Sequence, residues 1–213
     1  MSLITKCFTS KNLKENTYLV TDEATGIMAV IDPGYYGEDV RTEITDPSSF
    51  RYILLTHGHF DHFAAAQEYI DEYPDAVFAA PAGETKLLHG GRDNKWMALG
   101  KGSSVCPEAD LLLKEGDTIV IGETVINVME TPGHTEGSLC FYTDREIFSG
   151  DTLFNAGIGN TRLQTGNKSD LTDSIRNKLY SLDDDVVVRP GHGTSTTIGA
   201  EKRSNPFVRC DEE

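Results

Sequence analysis

The segment Thr56-His57-Gly58-His59-Phe60-Asp61-His62 places three imidazoles and one carboxylate within six residues. Each neutral imidazole carries one lone pair and one N–H to satisfy, and crowded together the three resist protonation, so they make poor core residues. A metal cation resolves both difficulties by taking the lone pairs. Three further segments have the same local form: Thr131-Pro132-Gly133-His134, Ser149-Gly150-Asp151 and Arg189-Pro190-Gly191-His192 each set a candidate ligand behind an apolar run and a glycine. Of the six histidines in the chain, only His89 falls outside these positions, and it reads as an exposed residue beside Gly90-Gly91. Imidazole and carboxylate without thiolate favour zinc, iron or manganese. The candidates His57, His59, Asp61, His62, His134, Asp151 and His192 outnumber what one tetrahedral ion requires, so two divalent ions are expected, with zinc first among them. Two ions sharing a ligand suit hydrolysis by a metal-bridging hydroxide.

These residues need strand ends to hold them. The runs ITKCFT, TYLVTD and IMAVID, the last closed by Pro33-Gly34, are rich in β-branched and aromatic residues and predict a strand meander. YILLT at 52 to 56 predicts a strand buried on both faces, ending at the histidine motif. Phe63, Ala66, Tyr69 and Ile70 recur at helical spacing, predicting a helix from His62 to Tyr73 stopped by Pro74. AVFAA predicts another strand. From Ala82 to Pro107 periodicity is lost and glycines accumulate, so helix pieces and loop are expected, with Trp96 and Met97 forming part of a substrate wall. LLLKEGDTIVIG, TVINVMETPG, SLCFYTDREIFSGD and VVVRPG predict a second set of strands, and Ser169 to Leu182 and Thr197 to Asn205 predict helices. Two strand-rich halves, each followed by helices, predict two packed sheets with helices outside.

The 213 residues suffice for a substantial core, and with no dividing linker they are read as one domain spanning 1–213. The four cysteines, Cys7, Cys106, Cys140 and Cys210, have no paired spacing, which argues against a zinc ribbon or a disulfide framework. A net charge of −15 repels a phosphate backbone, so no nucleic-acid partner is expected. No apolar stretch approaches the roughly 18 residues of a membrane span, and the N-terminus lacks the pattern of a secretory signal. A cytoplasmic protein acting on a small molecule is expected.

The His-x-His-x-Asp-His pattern of His57 to His62 resembles the signature of the metallo-β-lactamase superfamily, and Asn16-Thr17-Tyr18-Leu19-Val20 leading to Val30-Ile31-Asp32-Pro33-Gly34 resembles its opening hairpin. The resemblance implies an α+β fold, a four-layer αββα sandwich. It implies one metal held by His57, His59 and His134, another by Asp61, His62 and His192, and Asp151 bridging them. Gly150-Asp151-Thr152-Leu153-Phe154, Arg189-Pro190-Gly191-His192-Gly193 and Asn205-Pro206-Phe207 resemble the glyoxalase II-like branch, which hydrolyses thioesters of the hydroxyacylglutathione type. The chain ends soon after Phe207, so the resemblance is to the short form, without the C-terminal helical domain that helps bind glutathione. Gly159-Asn160-Thr161-Arg162 departs from the branch in the position of its basic residue, which leaves Asn160 and Arg162 as candidate substrate contacts. Asp61 is a candidate to orient the nucleophile, and Asp32 to accept a ligand imidazole N–H and so fix its tautomer. The rival readings are an iron persulfide dioxygenase holding one ion through His57, His134 and Asp151, and a hydrolase of lactones or other esters on the same fold.

Overall fold

The computed structural model describes residues 2–90, 94 and 105–208. The three N-terminal apolar runs form β1 (Leu3–Thr9), β2 (Asn16–Asp22) and β3 (Met28–Ile31), an antiparallel meander in which Tyr18 pairs with Ile31 and Cys7 with Tyr18. β4 (Phe50–Leu54), β5 (Val77–Pro81) and β6 (Leu111–Leu113) then join β3 in parallel, giving the order β1-β2-β3-β4-β5-β6. Parallel neighbours need crossovers. These carry α1 (Glu38–Arg41), α2 (Phe60–Phe63), α3 (Ala66–Glu72) and α4 (Thr85–Leu88).

A second sheet follows in the order β14-β13-β10-β9-β8-β7. Its strands are β7 (Thr118–Ile121), β8 (Thr124–Glu130), β9 (Leu139–Tyr142), β10 (Glu146–Gly150), β13 (Val187–Pro190) and β14 (Thr196–Thr197). The small hairpin of β11 (Leu153–Phe154) and β12 (Gly157–Ile158) stands apart, and no periodicity in the sequence anticipates it. α5 (Lys168–Asn177) follows β12, and α6 (Ile198–Ser204) follows β14.

Period-two alternation sorts the side chains into layers. Tyr18, Val20, Ala29, Ile31, Leu54 and Ala79 of the first sheet meet Ile119, Ile126, Val128, Leu139, Phe141 and Phe148 of the second. The intervening residues Leu19, Val30, Ile53 and Phe78 face outward onto Val40, Phe60, Phe63 and Tyr69. Behind the second sheet, Met129, Cys140, Ile147 and Val188 pack on Leu171, Ile175 and Ile198. The architecture is therefore an α+β sandwich of four layers, αββα. Among the described residues no helix is long and apolar enough to cross a membrane.

Two predicted helices are shorter than the sequence suggests. The expected helix from His62 to Tyr73 is two pieces, α2 and α3, because Ala65 donates its N–H to Pro33 O at 2.9 Å instead of continuing the helical ladder. The expected helix from Ser169 to Leu182 gives way after Asn177 to a separate 3-10 turn over Leu179–Ser181. At its start, the Asn167 side chain accepts from Ser169 N–H at 2.9 Å and caps it. Trp96 and Met97 lie outside the described residues.

Candidate metal centre

The segments after β4, β8, β10 and β13 meet at one rim of the sandwich, where the two sheets are tied by Leu139 N–H donating to Thr56 O at 2.8 Å and Asn16 N–H to Gly191 O at 2.8 Å. The bend that lets His57 and His59 face a common point depends on glycine. A Cβ at position 58 would stand 2.8 Å from Leu87 Cβ, and one at 191 would stand 2.4 Å from Asp151 Oδ1.

Five imidazoles and two carboxylates converge here. His57 Nε2 is 3.1 Å from His59 Nδ1, which is 2.9 Å from His134 Nε2. Asp61 Oδ2 lies 3.2 Å from His192 Nε2, and Asp151 Oδ1 lies 3.3 Å from His62 Nε2. Asp151 Oδ2 is 3.4 Å from His134 Nε2 and 3.7 Å from His192 Nε2, so this one carboxylate reaches both sides. Three sets emerge whose ligand atoms all lie within 4.8 Å of one another: His57, His59 and His134; His57, His62 and Asp151; and Asp61, His62 and His192.

The outward ring nitrogens are anchored, which fixes the tautomers. His57 Nδ1 meets Thr56 Oγ1 at 3.0 Å, His62 Nδ1 meets Asp32 Oδ2 at 2.8 Å, His134 Nδ1 meets Asn160 O at 2.9 Å and His192 Nδ1 meets Lys14 O at 2.9 Å. With Nδ1 turned to an acceptor, each Nε2 presents its lone pair to the centre; His59 is reversed and presents Nδ1. Asp32 also accepts from Thr56 N–H at 2.8 Å and Thr56 Oγ1 at 2.9 Å, and it sits at φ 53°, a left-handed conformation that aspartate tolerates better than most residues.

The residues fit divalent cations. Among the described residues buried Asp61 Oδ1 has no hydrogen-bond partner, and His62 Nε2 faces Asp151 Oδ1 without the alignment of a hydrogen bond. Buried polar groups left this way are costly unless an ion or ligand completes them. The electrostatics point the same way. Burial, reinforced by neighbouring imidazoles, holds His57 well below the usual histidine range and His59 down at about 3. Burial opposes the charged form of Asp151 and Asp61, but the facing imidazoles, His62 foremost, together outweigh it and hold both carboxyls low. His62 is raised despite its burial, because Asp32, Asp151 and Asp61 surround it.

Not every predicted residue lies in this cluster. Asn160 is exposed and reaches the centre through its backbone carbonyl, while its side chain accepts from Arg162 N–H at 3.0 Å. Arg162 is exposed, as is His89. Sequence reading missed the supports. Asn94 and Glu84, both fully buried, contact the ligand segments: Asn94 bonds the backbone of Gly58 and Phe60, and Glu84 accepts from Thr135 Oγ1. Burial raises the Glu84 carboxyl to about 7, against the opposing hydrogen bonds from Thr135 and the backbone of Gly58 and Gly137. No motif marks either residue, because their roles exist only once α4 lies under the histidine loop.

Comparison with known proteins agrees with this geometry. The chain is 33% identical over 204 residues to the hydroxyacylglutathione hydrolase GloC of Haemophilus influenzae, covering 92% of this chain and 93% of that one. It superposes on the crystal structure of BLEG-1 B3 metallo-beta-lactamase with a TM-score of 0.85 and 30% identity, covering 96% of this chain and 99% of that one. It matches TTHA1623, solved in a di-iron-bound form, with a TM-score of 0.81 and 32% identity over 95% of this chain and 100% of that one. The family model of the metallo-beta-lactamase superfamily matches residues 11–192, from the loop before β2 to the last of the clustered histidines. With its sandwich, its rim of histidines and aspartates and this match in hand, the chain belongs to the metallo-beta-lactamase superfamily.

Proposed function

We propose that the protein is a binuclear metal-dependent hydrolase acting on a thioester of the hydroxyacylglutathione type. The observation that carries this reading is Asp151, whose carboxylate stands between the His57, His59, His134 set and the Asp61, His62, His192 set. A shared ligand between two such sets favours a pair of ions over one closed site. The thioester is supported by similarity to the Haemophilus influenzae hydrolase. TTHA1623 in its di-iron form supports two ions of the zinc, iron or manganese class.

The first ion is assigned to His57, His59 and His134, the second to Asp61, His62 and His192, with Asp151 shared. Such ions supply Lewis acidity and acidify a bound water toward neutrality. The chain's own groups do the rest. Asp61 Oδ1, buried and without a partner among the described residues, would accept a proton from the attacking water and orient its lone pair toward the carbonyl carbon. Asp32 holds His62, and the Asn160 and Lys14 carbonyls hold His134 and His192, so the ligand rings need no rearrangement during turnover. Arg162, two residues beyond the Asn160 carbonyl that anchors His134, is assigned to a carboxylate of the substrate.

Steady-state kinetics on a hydroxyacylglutathione, a lactone and a β-lactam test the substrate class. The thioester should give a kcat/KM at least about 100-fold above the other two, and Arg162→Ala should raise KM with kcat little changed. A lactone or β-lactam turned over faster than the thioester would reject the proposal.

A further inference from the structure

We infer that Asn94 is a positioning residue for the metal ligands: its side-chain amide sets the bend between His57 and His59. Asn94 is fully buried, and all its hydrogen-bonding capacity bar one lone pair is spent on backbone. Its Nδ2 donates to Gly58 O at 2.7 Å and to Leu87 O at 2.8 Å, and its Oδ1 accepts from Phe60 N–H at 2.9 Å. Gly58 and Phe60 flank His59, so the amide clips the loop on both sides of that ligand.

The third bond is what makes the clip a mould. Leu87 is the residue whose Cβ lies 2.8 Å from where a side chain at Gly58 would begin. By holding Leu87 O and Gly58 O together, Asn94 presses α4 against the glycine, and the loop between the two histidines has one shape that fits. Among the described residues His59 has the least support of the five rings, since its Nε2 has no partner there while the other four rings are anchored through Nδ1. Its orientation therefore depends on the backbone, and the backbone on Asn94. Removing a group that orients a metal ligand typically weakens binding about 10–100-fold.

This inference rests on the metal reading above, and the test separates the two. Chelator-stripped wild type, Asn94→Asp and Asn94→Ser are titrated with Co(II), following binding and the visible d–d spectrum, with Asn205→Ser as the control. Asn205 is as buried as Asn94 and also makes three hydrogen bonds, to Gly157 O, Glu201 Oε2 and Phe207 N, but it touches no segment between the ligand histidines. The expected result is a Co(II) dissociation constant raised about 10–100-fold in both Asn94 variants with an altered spectrum, while Asn205→Ser loses thermal stability and keeps wild-type affinity and spectrum. Asn94→Asp keeps the shape and the acceptor for Phe60 and loses both donors, so it carries the test alone if the serine variant does not fold. Wild-type affinity and spectrum in a folded Asn94→Asp variant would overturn the positioning role and leave the metal reading standing. A wild type that binds no Co(II) would overturn the metal reading, and this inference with it.

Discussion

The two halves of the centre are built from different chemistry. His57, His59 and His134 are buried imidazoles pushed toward the neutral form by burial first and, for His57 and His59, by neighbouring imidazoles as well. On the other side, Asp61, His62 and His192 mix carboxylate with imidazole, and His192 keeps 29% of its side chain exposed. There the carboxylates outweigh burial and raise both His62 and His192. The supports differ too: the neutral side is backed by Asn94 and Glu84, the charged side by Asp32. One half is a dry cluster of imidazoles that meets negative charge only at Asp151, and the other adds Asp61 and the opening to solvent.

Three substitutions probe this asymmetry. The largest effect is expected from Asp151→Ala, because Asp151 belongs to both halves. It should remove at least one ion per chain and lower kcat/KM by more than about 100-fold, beyond the loss typical of an orienting residue. Retention of both ions, by elemental analysis, would show that the halves are independent. Next comes Asp32→Asn, which should weaken metal binding about 10–100-fold on the His62 side while leaving the His57 side unchanged. Asparagine is the informative replacement because it tolerates the positive φ at this position, where alanine would add backbone strain. Competitive chelation would resolve the two dissociation constants; equal weakening of both would erase the assigned division.

The third substitution reads folding stability instead of metal binding and concerns Glu84. Its folded carboxyl, raised to about 7, keeps its proton between the ordinary value of 4.5 and about 7, where the unfolded carboxyl is already ionised. The folded state then binds more protons than the unfolded state, so this contribution is complete below about pH 4.5 and is lost as pH rises to 7. The loss is on the order of 3 kcal/mol. Glu84→Gln should flatten that slope in urea unfolding of metal-free protein at pH 5 and pH 8. An unchanged difference between wild type and variant at the two pH values would show that Glu84 ionises normally.

Much of this was legible in the residues. The alternating strands, their glycine-terminated ends and the His-x-His-x-Asp-His run predict two sheets with ligands at one rim, and the sandwich follows that plan. The failures have physical causes. The helix after His62 breaks because Pro33 O, distant in sequence, captures the Ala65 N–H. The anchors of His134 and His192 are backbone carbonyls, of Asn160 and Lys14, and a carbonyl has no residue type to read. Asn94 lies in a stretch without periodicity, and its amide finds partners once the fold brings Leu87 beside Gly58 and Phe60.

On the proposed reading one carboxylate, Asp151, joins two metal sites. Elemental analysis of protein purified without added metal, paired with thioester hydrolysis on the same sample, tests it most directly. Two ions per chain, with activity lost on chelation and regained on adding the metal back, is the predicted result. A single ion per chain that saturates activity, or turnover that survives complete chelation, would contradict it.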